Sequence, residues 1–382
     1  MAVLEWVFWL ALLGYAYPYS VYPVLVMVLG LVRRGDIAKG DITPRVTVLV
    51  PAHNEAGVIG RTLESLLKQD YPRQQLQLLV VSDGSTDGTD DIVRGFASRG
   101  VELHRAEPRR GKAAALNAAT ALASGEILVF CDANAMFAPD AVRRLVANFH
   151  DPQVGYVTGS LSPQAVGAGP AGSGNSLFTR FENWLRVQET RAGSIIGSNG
   201  GIDAVRRELY WPIPEHLITD LVLPLSVLQR GRRVVYDPEA RSVEFTNADS
   251  RSEFRMRVRV ALRAMQGLWA VRALLNPLHH PYAAFSILSH KIIRYAGFLC
   301  MLAALLSNVL LAAGSGLYAV LLALQLLAYA LALLGFVQGL PAWVTRLTTL
   351  PSYLLLSYSA FAVATVKFLR GQSMAVWRPR SG

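Results

Sequence analysis

Cysteine and charge are both scarce in this chain. Its 382 residues hold two cysteines, Cys131 and Cys300, too few for a disulfide framework or a cysteine metal site. Cys131 lies in a short apolar strand-like run and Cys300 in a long apolar segment, surroundings that suit a reducing compartment and lipid. Only 17% of the residues are charged and 52% are hydrophobic, with a mean hydropathy of +0.31, values high in apolar content for a soluble chain. The first apolar stretch, Val3 to Val32, lacks a basic leader and a clear cleavage site and exceeds a signal-peptide core, so it is read as a retained anchor. No internal repeat is found. No nucleic-acid recognition motif accompanies the net charge of +10, so nucleic acid is not expected as a partner.

What is present is unevenly spread. The hydrophobic excess sits before residue 33 and after residue 283, in runs that reach the roughly 20 residues a bilayer span needs. Basic residues flank those runs: Arg33, Arg34 and Lys39 after the first, Arg251 to Arg263 before the second group, and Lys367, Arg370, Arg378 and Arg380 after the last. That placement favours anionic headgroups and positive-inside anchoring. The expected organisation is a transmembrane helix in 1–33, bent near Pro18 and Pro23; a cytosolic domain in 44–250; interfacial amphipathic helices in 251–295; transmembrane helices in 296–369; and a basic tail in 370–382. Three C-terminal spans, about 296–313, 317–339 and 350–368, conflict with the basic tail, because they would carry it to the far side.

In the middle region, strand and helix signals alternate. Strands are expected at 45–50, 76–82, 101–105 and 126–131, with helices at 58–69, 89–98 and 112–124 between them. Such alternation predicts an α/β domain with a mostly parallel sheet, helices on both faces, and ligands at the carboxyl ends of the strands. Further on, 165–175 reads as a Gly/Ala/Ser-rich loop, 177–192 as a polar helix, and 221–229 as a helix with Pro224 in its first turn. The helix at 252–274 is basic on one face and suits an interfacial position, as does 283–295.

Polar clusters end the strands. Pro51-Ala52-His53-Asn54-Glu55 follows the first, where Glu55 can meet a nucleotide base or ribose or simply cap the next helix. Ser82 to Thr89 follows the second; its glycines permit a tight turn, Asp83 is placed to bind a pyrimidine edge, and Asp87 or Ser85 can cap the following helix. Lys112, after Gly111, opens a helix and can offset phosphate charge, without the spacing of a P-loop. Asp132-Ala133-Asn134 ends the fourth strand. Asp132 and Asn134 alternate along the backbone, so both side chains are expected to leave one face, where they can hold Mg²⁺ or Mn²⁺ against a diphosphate directly or through water; a plain strand-end turn is the structural alternative. Asp220, after Ile218-Thr219, is either a helix cap or a base that takes a proton from an acceptor hydroxyl, with Asp203 a weaker candidate.

In order and spacing, Pro51 to Glu55, Ser82 to Thr89, Gly111 to Asn117, Asp132 to Asn134, Gly197 to Arg207 and Thr219-Asp220 resemble the inverting glycosyltransferases of family 2. The likeness is to the membrane-integrated branch with cellulose, hyaluronan and poly-N-acetylglucosamine synthases. It implies a GT-A type fold, Asp83 on uracil, Asp132 on metal and diphosphate, Asp220 as base, and Ser198, Asn199 and Gly200 in an acceptor-facing loop. Processive members carry Gln-x-x-Arg-Trp on an interfacial helix. Here Arg263 matches its diphosphate-binding Arg, the Gln and Trp do not match, and Trp269 lies more than a helical turn away. The tail Ser373 to Arg380, with Trp377-Arg378, is similar to a gating segment of those synthases.

The expected activity is therefore inverting, metal-dependent transfer from a UDP-sugar to a growing polysaccharide or lipid-linked acceptor at the plasma membrane. A UDP-sugar, membrane lipids and an oligomeric or secretion partner are the expected companions. One alternative is addition of a single sugar to a lipid. The other is a non-catalytic transport or scaffold protein with a degenerate nucleotide-binding domain.

Overall fold

The structure is a computed structural model and describes residues 1–166, 170–247, 250–337 and 339–372. Its centre is an eight-stranded mixed sheet. The strands are β1 (Val46–Ala52), β2 (Leu76–Asp83), β3 (Val101–Ala106), β4 (Ile127–Cys131), β5 (Ala135–Phe137), β6 (Val154–Val166), β7 (Ile202–Arg206) and β8 (Arg233–Asn247), in the order β3-β2-β1-β4-β7-β6-β8-β5. β1 to β4 pair in parallel, as the alternation of strand and helix predicts. β7 lies antiparallel to β4 and β6, and β5 antiparallel to β8.

The helices of the chain are α1 (Ala2–Ala16), α2 (Val21–Arg33), α3 (Ile59–Leu67), α4 (Thr89–Arg94), α5 (Lys112–Leu122), α6 (Ala141–Ala147), α7 (Pro170–Ala192), α8 (Thr219–Gln229), α9 (Ser250–Ala270), α10 (Pro281–Ser286), α11 (Ile293–Ala312), α12 (Gly316–Leu334) and α13 (Ala342–Leu369). Side chains alternate across a strand, so Val46, Val48 and Val50 pack on one side with Ile59, Leu63 and Leu66 of α3. Leu49 packs on the other with Ala115, Leu116 and Ala119 of α5 and with α8. Both faces are covered, and each fully buried aliphatic side chain contributes roughly 1.5–3 kcal/mol.

Several expectations change in the apolar parts. The first segment bends by 46° near Pro18, as expected, but the bend is sharp enough to break it into two helices, α1 and α2, across the short turn Tyr17–Tyr19. The stretch 283–295 is not a separate interfacial element. It belongs to one continuous helix from Pro281 to Ala312, with a π-helical segment at Ile287–Ile292. Among the described residues, three helices are long and apolar enough to cross a membrane, namely Pro281–Ala312, α12 and α13, with α1 and α2 a fourth if counted together. The expected loop at 165–175 is shortened, since β6 runs to Val166 and α7 begins at Pro170. The tail from Ser373 lies outside the described residues.

The C-terminal helices stand against the sheet domain at both ends of their run. Gln266 of α9 donates to the Gln372 carbonyl at 3.0 Å, and Arg257 of α9 donates to Ser357 at 3.0 Å, so α13 ends alongside α9. At the other end, Lys291 lies against Gly197 of the sheet domain.

Candidate active site

The loops after β1 and β2 are laced together. Asn54, at φ 55°, accepts the Thr86 N–H at 2.8 Å on its side-chain oxygen, and the Glu55 N–H donates to the Thr89 hydroxyl at 2.8 Å. Asp87 accepts the N–H groups of Ala56 and Thr89, both at 3.0 Å, which is the helix-start role its spacing suggests. Glu55 turns its carboxyl toward a crowd of acids. Burial first, then the charges of Asp132, Asp87 and Glu244, pushes its pKa up to about 7.

Asp83 is buried and its carboxylate accepts two backbone N–H groups, from Arg110 at 2.8 Å and Gly111 at 2.7 Å. It thereby anchors the start of α5, where Gly111 sits at φ 99°, a conformation that favours glycine. The anchor directs Lys112 inward. Its ammonium lies 2.6 Å from Asp132 and 3.7 Å from Asp220, and donates to the Gly200 carbonyl at 3.3 Å. Burial disfavours the charge, but the two carboxylates outweigh it and hold the lysine pKa above its ordinary value.

Asp132-Ala133-Asn134 does not continue the strand. The Ala135 N–H closes a turn onto the Asp132 carbonyl at 2.9 Å, which removes the alternation that would put both side chains on one face. Asp132 meets Lys112, whereas the Asn134 amide donates to Glu244 at 3.1 Å. Glu244 is the residue that sequence reasoning missed. It comes from β8, opposite Ala135 in the β5–β8 pairing, and only that pairing brings it here.

Asp220 lies in the first turn of α8, and Pro224 sits further inside the helix than the first turn expected for it. Proline has no N–H to give the carbonyl four residues back. That carbonyl is Asp220's, and Ser198 uses it: its N–H bonds it at 2.9 Å and its hydroxyl lies 3.0 Å away. The Ser198 hydroxyl is also 3.0 Å from Asp203. Asn199 is tied to β6, with its amide on the Gly159 carbonyl at 2.6 Å, and the Gly200 N–H donates to Asp203 at 3.1 Å. Gly200 has φ 84°, and a Cβ there would overlap the Asp220 carboxylate, 2.5 Å from its Cγ. Asp203 is buried beneath this loop. Burial, then the Asp220 charge, pushes its pKa up to about 7.

The structure thus brings Lys112, Asp132, Asp220 and the 198–200 loop together, with Glu55 beside Asp132. Two expected residues are held by other contacts, although Arg263 lies near enough to Asp220 to feel its charge. Arg263 spends its guanidinium on the carbonyls of Glu215 and His216, both at 3.3 Å, and of Leu217, so it fastens a loop. Trp269 is 63% exposed, two residues after Gly267, whose position faces Val222 of α8. Two residues turn a helix by about 200°, so Trp269 leaves on the opposite side, where Arg272 stacks on it at 5.2 Å.

Comparison with known proteins bears on the family and the fold. Residues 47–210 match the model described as glycosyl transferase family 2. The chain is 30% identical over 218 residues to a probable glycosyltransferase, YdaM, of Bacillus subtilis, covering 52% of this chain and 50% of that one. It is 28% identical over 273 residues to an N-acetylglucosaminyltransferase of Rhizobium meliloti, covering 65% and 62%. The alignments therefore span about half to three-fifths of these curated relatives. Among solved structures, the mannosyltransferase PcManGT of Pyrobaculum calidifontis, in complex with GDP-Man and Mn²⁺, is 29% identical with a TM-score of 0.74. That match covers 97% of this chain and 99% of that one. The eight-stranded sheet is accordingly of GT-A type, and residues 47–210 are a glycosyltransferase domain of family 2.

Proposed function

We propose that this protein transfers a sugar, with inversion, from a nucleotide sugar to a saccharide or lipid-linked acceptor at a membrane surface. The observation that carries this is the Lys112 ammonium held between Asp132 and Asp220 under the Gly200 carbonyl. It concentrates one cation and two carboxylates where the strands end, with the start of α5 directed at the same place. In this arrangement Lys112 and the α5 N-terminus meet the diphosphate of the donor. Asp220, fixed by the Ser198 and Pro224 arrangement, takes the proton from the acceptor hydroxyl as it attacks the anomeric carbon from the opposite side.

The donor set is all oxygen, which suits Mg²⁺ or Mn²⁺. Among the described residues no three of His, Cys, Asp and Glu are grouped to hold a metal. A cation at Asp132, with Asn134 or Glu244 near it, would thus complete its shell with diphosphate oxygens and water, as Mg²⁺ commonly does. When bound, such an ion neutralises charge on the departing diphosphate.

UDP-sugar is the donor the family resemblance implies. A second reading, GDP-mannose, is favoured by the end-to-end likeness to PcManGT. The placement of Trp269 away from the site argues for single additions over polymerisation. Both ends of the 281–369 run face the sheet domain, through Lys291 and Gln372, which supports an even number of membrane crossings between them. On that topology one of the three apolar helices does not complete a crossing, and the basic tail stays on the domain's side, cytosolic by the positive-inside rule.

The test is a screen of UDP- and GDP-sugars with Mn²⁺ or Mg²⁺ for nucleotide release, followed by mass and anomeric analysis of the product. An inverted product supports the proposal. Retention of configuration, or binding of every donor without transfer to any acceptor, would overturn it.

A further inference from the structure

One charged cluster lies outside the site just described, where α7, α2 and the π-helical segment meet. Glu182 pairs with Arg294 at 2.7 Å and lies 3.2 Å from the His290 ring. Glu189 accepts the Tyr22 hydroxyl at 2.6 Å and lies 2.6 Å from the other His290 nitrogen. Tyr22, Glu182, Glu189, His290 and Arg294 are all buried. Both carboxylates of α7 are therefore already engaged.

Two cations in the same region have no carboxylate of their own. Arg186, one turn after Glu182 on α7, donates to the neutral Asn183 side chain at 3.0 Å. Lys291 has no ion pair or hydrogen bond among the described residues. It does not point to lipid: a Cβ at Gly197 would lie 3.5 Å from its ammonium and 3.6 Å from Leu221 of α8. Leu288, on the same segment, is 49% exposed and supplies the lipid-facing side. Gly197 precedes Ser198, whose N–H holds the Asp220 carbonyl. Lys291 thus touches the membrane-side end of the loop whose other end overlies Asp220.

An ammonium in an apolar bundle is costly unless a counter-charge compensates it, and an ionisable group on such a helix marks a functional site by default. Among the described residues the carboxylates near Lys291 are Glu182 and Glu189, both already bonded to Arg294, His290 and Tyr22, while Arg294 and Arg186 add to the positive field, so two carboxylates face three cations. The missing counter-charge belongs to something that arrives from the membrane side. We propose that Lys291, with Arg186 beside it, binds a phosphate group carried by the acceptor, next to the hydroxyl that Asp220 deprotonates. The substrate class is then a phosphate-linked lipid saccharide. This rests on the transfer function proposed above and adds the chemistry of its acceptor.

The experiment uses the full chain in phosphatidylcholine nanodiscs, with the donor found by the screen. Two synthetic acceptors carry the same monosaccharide on the same alkyl chain, one through a phosphate and one through a neutral ether. With the phosphate-linked acceptor, Lys291→Gln should raise KM at least tenfold and leave kcat within about threefold. With the ether, KM should change by less than twofold, and Lys291→Arg should recover most of the loss. Circular dichroism and gel filtration confirm that the variants are folded. An equal effect on both acceptors, no effect on either, or an effect seen only when phosphatidylglycerol is added with the neutral acceptor would overturn the inference while leaving transfer itself intact. If wild-type protein transfers to neither acceptor nor to any other, the function on which the inference rests fails, and the inference with it.

Discussion

Replacing Gly200 by alanine puts a methyl group into the Asp220 carboxylate, which lies 2.5 Å from the would-be Cβ at Cγ and 3.0 Å at Oδ1. The backbone there has φ 84°, so alanine carries a conformational cost of about 1–2 kcal/mol in addition to the overlap. For a domain of this size that corresponds to a fall in Tm of roughly 2–8 °C, which leaves a folded protein. The larger effect is on chemistry, because Asp220 must swing away from the Lys112 ammonium and the acceptor side. The expected loss of transfer is that of a displaced general base, about 10²- to 10⁴-fold. Gly201→Ala is the control. Its Cβ would meet Leu161 at 3.4 Å and Asp132 at 3.8 Å, ordinary contacts without a positive φ, so its turnover should stay close to wild type. Both variants are measured by nucleotide release with saturating donor and acceptor, alongside thermal unfolding. If folded Gly200→Ala kept turnover within about threefold of wild type, Asp220 would not need its present position and the base assignment would be wrong.

Two further outcomes follow from the same geometry. Asp203 has a folded pKa of about 7 against an ordinary 3.8, so between these values the folded state keeps a proton that the unfolded state releases. Stability from this group is therefore full below about pH 4 and lost as pH rises through 7, a difference on the order of 4 kcal/mol. Asp203→Asn should raise Tm more at pH 8 than at pH 5; an equal change at both would refute the assignment. For topology, a fluorescent reporter fused after the last residue should be bright and an alkaline phosphatase fusion inactive, because α13 ends beside α9. The opposite pattern would require an odd number of crossings after the sheet domain.

The β1 to β4 half of the sheet is legible in the sequence because β1, β2 and β4 are short apolar runs, each followed by a polar cluster. Their boundaries fall within two residues of those expected. The other half is not. β6 and β8 contain Gly159, Ser160, Pro163, Asp237, Pro238 and Glu239, and they hold as strands mainly by pairing with each other across some eighty residues of chain. No local period reports such pairing, and Glu244 stays invisible with it. Asp83, Lys112, Asp132 and Asp220 could be named from strand ends and helix starts. Their roles depend on partners remote in sequence: the carbonyl freed by Pro224, the turn at Ala135 that separates Asp132 from Asn134, and the loop carbonyls that occupy Arg263. The buried network of Tyr22, Glu189 and His290 joins residues 167 and 101 positions apart, and each looks ordinary in its own segment.

The central claim is that Asp220 acts as base beside a diphosphate site built on Lys112 and Asp132. Its most direct test is Asp220→Asn, with donor binding and sugar transfer measured on the same preparation. Asparagine keeps the shape of the side chain, and its oxygen can still accept the Thr219 hydroxyl that bonds Asp220 at 2.7 Å. Donor affinity should stay within about threefold of wild type, while transfer falls by about 10² to 10⁴. Near-normal transfer, or loss of donor binding in step with loss of transfer, would contradict the account.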